Sequence, residues 1–343
     1  MAHGQTTFSD MEYAKRRKKT RREEFLDMMD HVLCWDELVA VIKPYCYDAK
    51  RGRPPRGIEV MLRMYLLQAW FNLSDEAVED AICDSYAFRK FMGMDFAVEQ
   101  APDATTLCKF RHIMEAHNIG KAIFDSIASF LEDNGRMMRG GTIVDAAIID
   151  APSSTKNAAK ARDPEMHQAR KGNEWYFGTK RHSGADAATG YVHTITATAA
   201  NVADIDEAAS LVREDDHTVW ADAGYVGMEK RDEVRGDGHL RDMDWRVNRR
   251  RPKVAREYPE GPSRDFEKML EKEKPRARSK VEHPFHIVKD IFGFRKARYR
   301  GIQKNLDRLH MLFASANIYM LGCAMRLEEE ARSRKRPLAQ ACP

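Results

Sequence analysis

The chain has 343 residues, of which 43% are hydrophobic and 32% charged, and its formal net charge is +4. This composition is typical of a folded protein of two or three domains and excludes a disordered or collagen-like chain. The apolar stretches are far shorter than the roughly 20 residues of a membrane helix, and no secretory signal is recognisable, so we expect no membrane association. The six cysteines form no CxxC pair, which argues against a zinc ribbon and favours a reducing cytoplasm.

The first part of the chain alternates basic and helical patterns. Residues 1–30 are polar and basic and are interpreted as an N-terminal arm, either mobile or a frayed helix. Residues 31–138 are interpreted as an all-helical domain, because apolar side chains recur at helical spacing between Val60 and Trp70 and again up to Asn134. Ser74 and Asp103 are predicted N-caps within it. Its helix pairs indicate DNA binding only weakly, since helix pairs also serve packing alone.

Strand patterns begin after residue 140. Thr142–Ile149 is a β-branched apolar run that predicts a buried strand, and residues 175–182 and 191–198 predict an antiparallel hairpin. The remaining elements are a helix at 204–212, strands at 218–222 and 245–247, and helices at 266–291 and 305–331. Residues 139–331 are therefore predicted to form an α/β domain, a mixed sheet flanked by helices, with a basic tail at 332–343.

The near-balanced charge hides a strong asymmetry. Residues 246–304 contain 19 Lys or Arg against 8 Asp or Glu, a net charge of +11, which leaves −7 for the rest of the chain. A second basic run lies at residues 15–22. Such blocks are typical of proteins that bind polyanions, although solvated helix faces remain the alternative.

Three carboxylates are the candidates for chemistry, since the chain lacks phosphate-loop, dinucleotide, HExxH and GxSxG motifs. Asp145 lies inside an apolar strand, where an unpaired charge is costly. Asp222 ends a later strand just before Gly224, and Glu282 shares one helix face with Arg278 and Lys289. Asp150 is an odd number of residues from Asp145 and so points to the other face. An exposed ion pair is the alternative for Glu282.

The order of several motifs resembles the bacterial insertion-sequence transposases with a DDE triad, most closely insertion-sequence family five. The resemblance covers nearly the whole chain, and its most specific parts are Gly141-Thr-Ile-Val-Asp145, Ala221-Asp-Ala-Gly-Tyr225 and Val281-Glu-His-Pro-Phe285. It implies an RNase H-like fold in which Asp145, Asp222 and Glu282 form the catalytic triad. The family's tyrosine–arginine–glutamate–lysine signature keeps Arg278, Glu282 and Lys289, while Pro275 replaces its tyrosine.

The resemblance also implies a reaction and its partners. Two Mg²⁺ ions, or Mn²⁺ in their place, are expected at the triad, with Asp145 bridging both ions and Asp222 and Glu282 each binding one. The enzyme is expected to cleave the terminal inverted repeats of its element, join them to target double-stranded DNA, and act in the bacterial cytoplasm as a homodimer or larger synaptic complex. The predicted DNA contacts are Arg278, Lys289, Lys180, Arg295, Lys296, Arg298, Arg300, Lys15, Arg16, Arg17, Lys18 and Lys19.

Two alternatives remain open from the sequence. One is a catalytically inactive, transposase-derived DNA-binding regulator, and the other is a stand-alone nuclease on the same fold. For four further residues we predict local roles. His182 is expected to be structural, and Trp175 and Trp220 are expected to lie in the core. Tyr225 is expected either to hold the turn after Asp222 or to contact the DNA backbone.

Overall fold

The computed structural model describes residues 18–46, 56–94, 99–158, 160–249 and 260–335. These residues form two compact units. One unit comprises the chain up to Ile119 together with the chain from Ile318 onward, and the other comprises Gly120–Asn317.

The first unit is helical, as the sequence predicts. Its helices are α1 (Arg21–Val32), α2 (Trp35–Ile42), α3 (Ile58–Trp70), α4 (Asp75–Asp84), α5 (Tyr86–Met92) and α6 (Ala104–Ala116). The wide apolar face of α3 is buried from Met61 to Trp70. Both predicted N-caps are confirmed, because the Ser74 hydroxyl accepts a hydrogen bond from Ala77 N and the Asp103 carboxylate accepts one from Thr106 N.

Helix α1 lies within the stretch interpreted as an arm. It begins at Arg21, is capped by Thr20, and buries Leu26 and Met29. Residues 21–30 are therefore helical, which is one of the two alternatives for this segment, because two apolar side chains one turn apart anchor it despite its many charges. The predicted domain boundaries at 30, 138 and 331 stay predictions.

The Asp103 cap provides a stability test. Asp103→Ala is expected to lower the free energy of unfolding by about 1 kcal/mol, because the N–H of Thr106 loses its acceptor at the start of α6. Asp103→Asn keeps a capping oxygen and is expected to stay within a few tenths of a kcal/mol of the unchanged protein. Thermal unfolding of the two variants checks this, and equal destabilisation by both substitutions would contradict the cap.

The second unit is built on a six-stranded mixed sheet. Its strands are β1 (Gly141–Asp150), β2 (His167–Lys171), β3 (Glu174–Asp186), β4 (Val192–Ala199), β5 (Thr218–Ala221) and β6 (Asp244–Val247). Their order is β2-β3-β1-β5-β6, and β4 also pairs with β3. β1 runs antiparallel to β3 and parallel to β5, while β3 and β4 form the predicted antiparallel hairpin. The predicted mixed α/β fold is thus confirmed.

The helices of this unit are α7 (Ile119–Asp133), α8 (Asp232–Gly236), α9 (Gly238–Arg241), α10 (Pro262–His286) and α11 (Ile302–Lys335, which continues into the first unit). A π-helical turn, Ile287–Ile291, follows α10 directly. One face of the sheet carries Val144, Val219 and Ala221 into a core with Leu211, Tyr225 and Met228. In the part of the chain that is described, no helix combines the length and apolar composition that a membrane span requires.

Three details differ from the sequence-based predictions. Strand β2 was not predicted, because its sequence HQARK has no apolar alternation and its pairing with β3 alone makes it a strand. Residues 204–212 form two short 3₁₀ turns instead of a helix. Their carboxylates form ion pairs with residues outside the stretch, Asp204 with Lys180 and Asp206 with Arg231. Trp175 was expected in the core but is 66% exposed.

Candidate active site

Asp145 and Asp222 lie on the same face of the sheet. β1 and β5 are parallel neighbours in which Ile143 pairs with Trp220, and each aspartate is two residues further along. Because side chains alternate along a strand, Asp145 and Asp222 project to the side of Ile143 and Trp220, away from the Val144 core. The structure therefore brings together two of the three predicted triad members.

The Asp145 carboxylate is largely enclosed, with 21% of its side chain exposed. Its Oδ1 accepts a hydrogen bond from Arg278 Nη2 at 3.3 Å. The pKa of Asp145 is raised to about 6. Burial is the largest cause and the negative charge of Asp222 adds to it, while the positive charges of Arg278 and Arg181 act in the opposite direction. A largely enclosed carboxylate whose ionisation is disfavoured by burial and by a second carboxylate nearby forms a site that suits a cation.

Asp222 is held by the turn that follows β5. Its Oδ1 accepts a hydrogen bond from Gly224 N at 2.8 Å, which caps the 3₁₀ turn Ala223–Tyr225. A Cβ on Gly224 would lie 2.9 Å from that same oxygen and 3.7 Å from Asp204 Oδ2. Only glycine lets the backbone approach the carboxylate this closely, so the turn fixes the direction of Asp222.

Gly224→Ala is accordingly expected to displace the Asp222 carboxylate and to reduce DNA cleavage by about 10–100-fold, the size expected for a misplaced catalytic group. The melting temperature should change by no more than a few degrees, since the added methyl group meets a side-chain oxygen. Gly236→Ala is the matched control, because its Cβ would meet no atom within 4 Å. Cleavage rates of the two variants check this, and wild-type cleavage by Gly224→Ala would contradict it.

Asp204 is a carboxylate that the sequence did not identify, and it lies beside Asp222. Lys180 forms an ion pair with Asp204 Oδ1 at 2.7 Å and donates a hydrogen bond to Val202 O at 2.6 Å. The Lys180 ammonium, predicted to contact DNA, thus ties the 202–204 loop to β3. Its predicted DNA contact stays a prediction and requires this ion pair to open. His182 is buried, is hydrogen-bonded to Thr198 Oγ1, and has a pKa lowered by burial, in agreement with its structural role.

Tyr225 packs into the core and points its hydroxyl toward the acidic groups. The side chain is 1% exposed, and its buried hydroxyl has no hydrogen-bond partner among the described residues. Burial raises the pKa of Tyr225, and the charges of Asp204, Asp145 and Asp222 raise it further. Of the two roles predicted for this tyrosine, the structure favours holding the turn after Asp222.

Glu282 lies on α10, the helix that supplies Arg278 to Asp145. Val281 and Pro284 are the buried residues near it, whereas Glu282 itself is exposed. Arg278 lies one turn before Glu282 on the same helix face and contacts Asp145. Phe285 lies one turn after Glu282 and stacks on Arg181. Both neighbours of Glu282 on this face therefore reach the Asp145 side of the sheet. No group of three or more His, Cys, Asp or Glu placed to hold a metal is found within the described ranges.

The remaining predicted DNA contacts are spread over the surface. Lys18, Lys289, Arg295, Lys296, Arg298 and Arg300 are exposed. Arg295 forms an ion pair with Asp290 at 2.6 Å, and Lys19 forms one with Asp27 at 2.7 Å. Lys15, Arg16 and Arg17 lie outside the described residues. Whether any of these cations touches DNA stays a prediction.

The donor set at Asp145 and Asp222 fits a hard divalent cation. Mg²⁺ prefers oxygen ligands and is usually held by one or two carboxylates together with substrate phosphates and water. Two neighbouring carboxylates, one with a raised pKa, supply that number of protein ligands without a third. The two aspartates therefore suit Mg²⁺ as they stand. Glu282 is exposed on α10, and its role as the third ligand stays a prediction.

Comparison with known families agrees with this geometry. Residues 136–318, more than half of the chain, match the family described as Transposase DDE domain. Residues 14–113 match the family described as Transposase domain (DUF772). No solved structure matches the chain.

Proposed function

Because the chain belongs to the DDE transposase family, we propose that it binds the terminal inverted repeats of an insertion sequence and catalyses metal-dependent DNA cleavage and strand transfer. The observation that carries the proposal is the pair of Asp145 on β1 and Asp222 at the end of the adjacent parallel strand β5, on one face of the sheet, with Arg278 on Asp145. The resemblance to insertion-sequence family five and the joining of two DNA ends in a dimer or larger complex belong to the same proposal.

The protein's own residues prepare the site in three ways. Asp145 and Asp222 would hold the cation, with Glu282 as the third ligand in the complex with DNA. The N–H of Gly224 fixes the orientation of Asp222, and Arg278 offsets part of the Asp145 charge until cation and DNA arrive. Bound divalent cations supply Lewis-acid activation of the phosphate and of the attacking hydroxyl. In that complex Arg278 would lie beside the scissile phosphate and donate hydrogen bonds to its oxygens.

The experiment that tests this function combines purified protein with DNA that carries the element's two ends and with a separate target plasmid. Cleavage at the ends followed by covalent joining to the plasmid, in Mg²⁺ and not in EDTA, is the expected result. Asp222→Asn is expected to remove both products while leaving binding to the ends intact, since binding does not use this carboxylate.

The two alternatives give different outcomes in the same assay. A stand-alone nuclease would cleave DNA without joining it to the target. A DNA-binding regulator would bind the ends without releasing any strand, and its binding would be unchanged by Asp145→Asn. Either pattern would contradict the proposed strand transfer.

A further inference from the structure

Arg181 is a buried cation beside Asp145 whose N–H donors the proposed triad does not use. It lies on β3 opposite Ala147 of β1, and its side chain is 9% exposed. The guanidinium forms no hydrogen bond or ion pair with any residue that the structure describes. Its contacts are aromatic, since it lies 3.6 Å from the ring centroid of Phe285 and 5.2 Å from that of Phe313. The charge of Asp145 acts on this guanidinium but compensates only part of the cost of burying it, and an anion in the working complex would compensate the rest.

The space beside Arg181 is a cationic cleft. It has a volume of about 580 Å³ and is bordered by β1, β3 and the segment that follows α10. Its charged lining consists of Lys171, Arg181, Lys289, Arg295 and Lys296 against the single carboxylate of Asp150. Asp290 neutralises Arg295, which leaves the other cations to face the cleft. Burial lowers the pKa of Arg181 to about 10, so the guanidinium keeps its charge at neutral pH.

The position of Arg181 relative to the carboxylates points to a DNA strand. Arg181 pairs with Ala147, which is two residues beyond Asp145 on the same face of the sheet. Two residues of a strand span about 7 Å, close to two base steps along a DNA helix axis at 3.4 Å each. A strand that runs along β1 with its scissile phosphate at Asp145 would therefore bring the phosphate two nucleotides away to Arg181.

We propose that Arg181, stacked on Phe285 and assisted by Lys289 and Lys296, forms a phosphate subsite for a backbone phosphate about two nucleotides from the scissile one. The planar guanidinium presents several N–H donors suited to two phosphate oxygens, and Phe285 covers its face and sets the plane. The subsite rests on the proposed function in that its phosphate belongs to DNA. Its role is to position the strand.

The test compares Arg181→Met and Arg181→Lys in the full chain, with Lys121→Met as the control. Lys121 is an exposed cation that pairs with Asp125 on α7 and does not line the cleft. Binding of a labelled duplex is measured without divalent metal over a range of salt concentrations. Arg181→Met is expected to reduce the slope of log K against log salt by about 0.9, the loss of one phosphate contact. Arg181→Lys is expected to retain the slope with weaker binding, and Lys121→Met to match the wild type.

Two further measurements separate binding from structural support and DNA from free phosphate. The melting temperature of Arg181→Met without ligand is expected to equal or exceed that of the wild type, because the substitution removes a buried charge that Asp145 compensates only in part. Inorganic phosphate is expected to raise the melting temperature of the wild type and not that of Arg181→Met. A lower melting temperature for Arg181→Met, or a wild-type salt slope, would overturn the subsite. If inorganic phosphate stabilises the wild type but Arg181→Met binds the labelled duplex as the wild type does, the assignment of the site to DNA is overturned.

The outcomes also distinguish this proposal from the proposed function. If Asp222→Asn abolishes cleavage while Arg181→Met keeps the wild-type salt slope, the subsite is wrong and the function stands. If Arg181→Met loses one phosphate contact while Asp222→Asn still cleaves and joins DNA, the subsite stands and the carboxylate assignment is wrong.

Discussion

Asp145→Asn is expected to reduce Mg²⁺-dependent cleavage at least about 10³-fold and, in the absence of metal, to make the protein more stable. The loss of activity follows because the cation held by this carboxylate is worth several kcal/mol of transition-state stabilisation. The gain in stability follows from burial, which raises the pKa of Asp145 from its ordinary value of 3.8 to about 6.

The sign of the stability effect depends on pH. A carboxyl group whose pKa is higher in the folded protein destabilises the fold when it is ionised, fully above about 6 and not at all below about 4. A difference of about two pKa units corresponds to roughly 3 kcal/mol, or a rise in melting temperature of about 5 °C for the asparagine variant near pH 8. The difference should shrink as the pH falls and vanish near pH 4.

Melting curves of wild type and Asp145→Asn over this pH range, each with and without Mg²⁺, measure both effects. Mg²⁺ is expected to stabilise the wild type and to leave the variant unchanged, because the variant lacks a ligand. Asp242→Asn, at an exposed aspartate that does not line the cleft, is the control and should melt and cleave like the wild type. A destabilised Asp145→Asn near pH 8 would show that the carboxylate is structural.

Local sequence patterns predict the elements that carry the two aspartates. The β-branched run before Asp150 and the glycine-bounded end of β5 identify both strands, and an acid inside an apolar run already marks Asp145. That the two carboxylates share a face depends on the parallel pairing of Ile143 with Trp220, and the spacing within either strand does not contain this pairing. The sequence thus predicts the two strands that carry this pair, whereas the pairing of β1 with β5 in the sheet determines that the two carboxylates lie on the same face.

Arg181 and Asp204 show why other site residues could not be predicted. Arg181 is one of many arginines in a basic chain, and its side chain becomes buried only when β3 pairs with β1 and Phe285 stacks on it. Asp204 lies in an acidic stretch with helical spacing, so the periodicity favours a helix. The ion pair with Lys180 comes from a strand about two dozen residues earlier and turns the stretch toward the site. Long-range pairing, which periodicity does not contain, determines both.

Glu282→Gln is expected to reduce cleavage by about 10²-fold or more, as expected for the loss of a metal ligand, with no change in melting temperature at any pH. The absence of a stability effect follows from its exposure, since an exposed carboxylate contributes little to folding. This pattern differs from that of Asp145→Asn, which loses activity and gains stability. The contrast would place Glu282 at the site in the complex with metal and DNA, and only there.

Glu273→Gln is the matched control for this experiment. Glu273 is an exposed glutamate on the same helix, but it lies two and a half turns before Glu282 and therefore on a different side of α10. Full cleavage by Glu273→Gln together with loss in Glu282→Gln would assign the effect to position 282 and exclude a general effect of helix charge. Full cleavage by Glu282→Gln would mean that Asp145 and Asp222 suffice. The active site would then rest on two carboxylates and the substrate phosphates, which is the arrangement that the protein alone already presents.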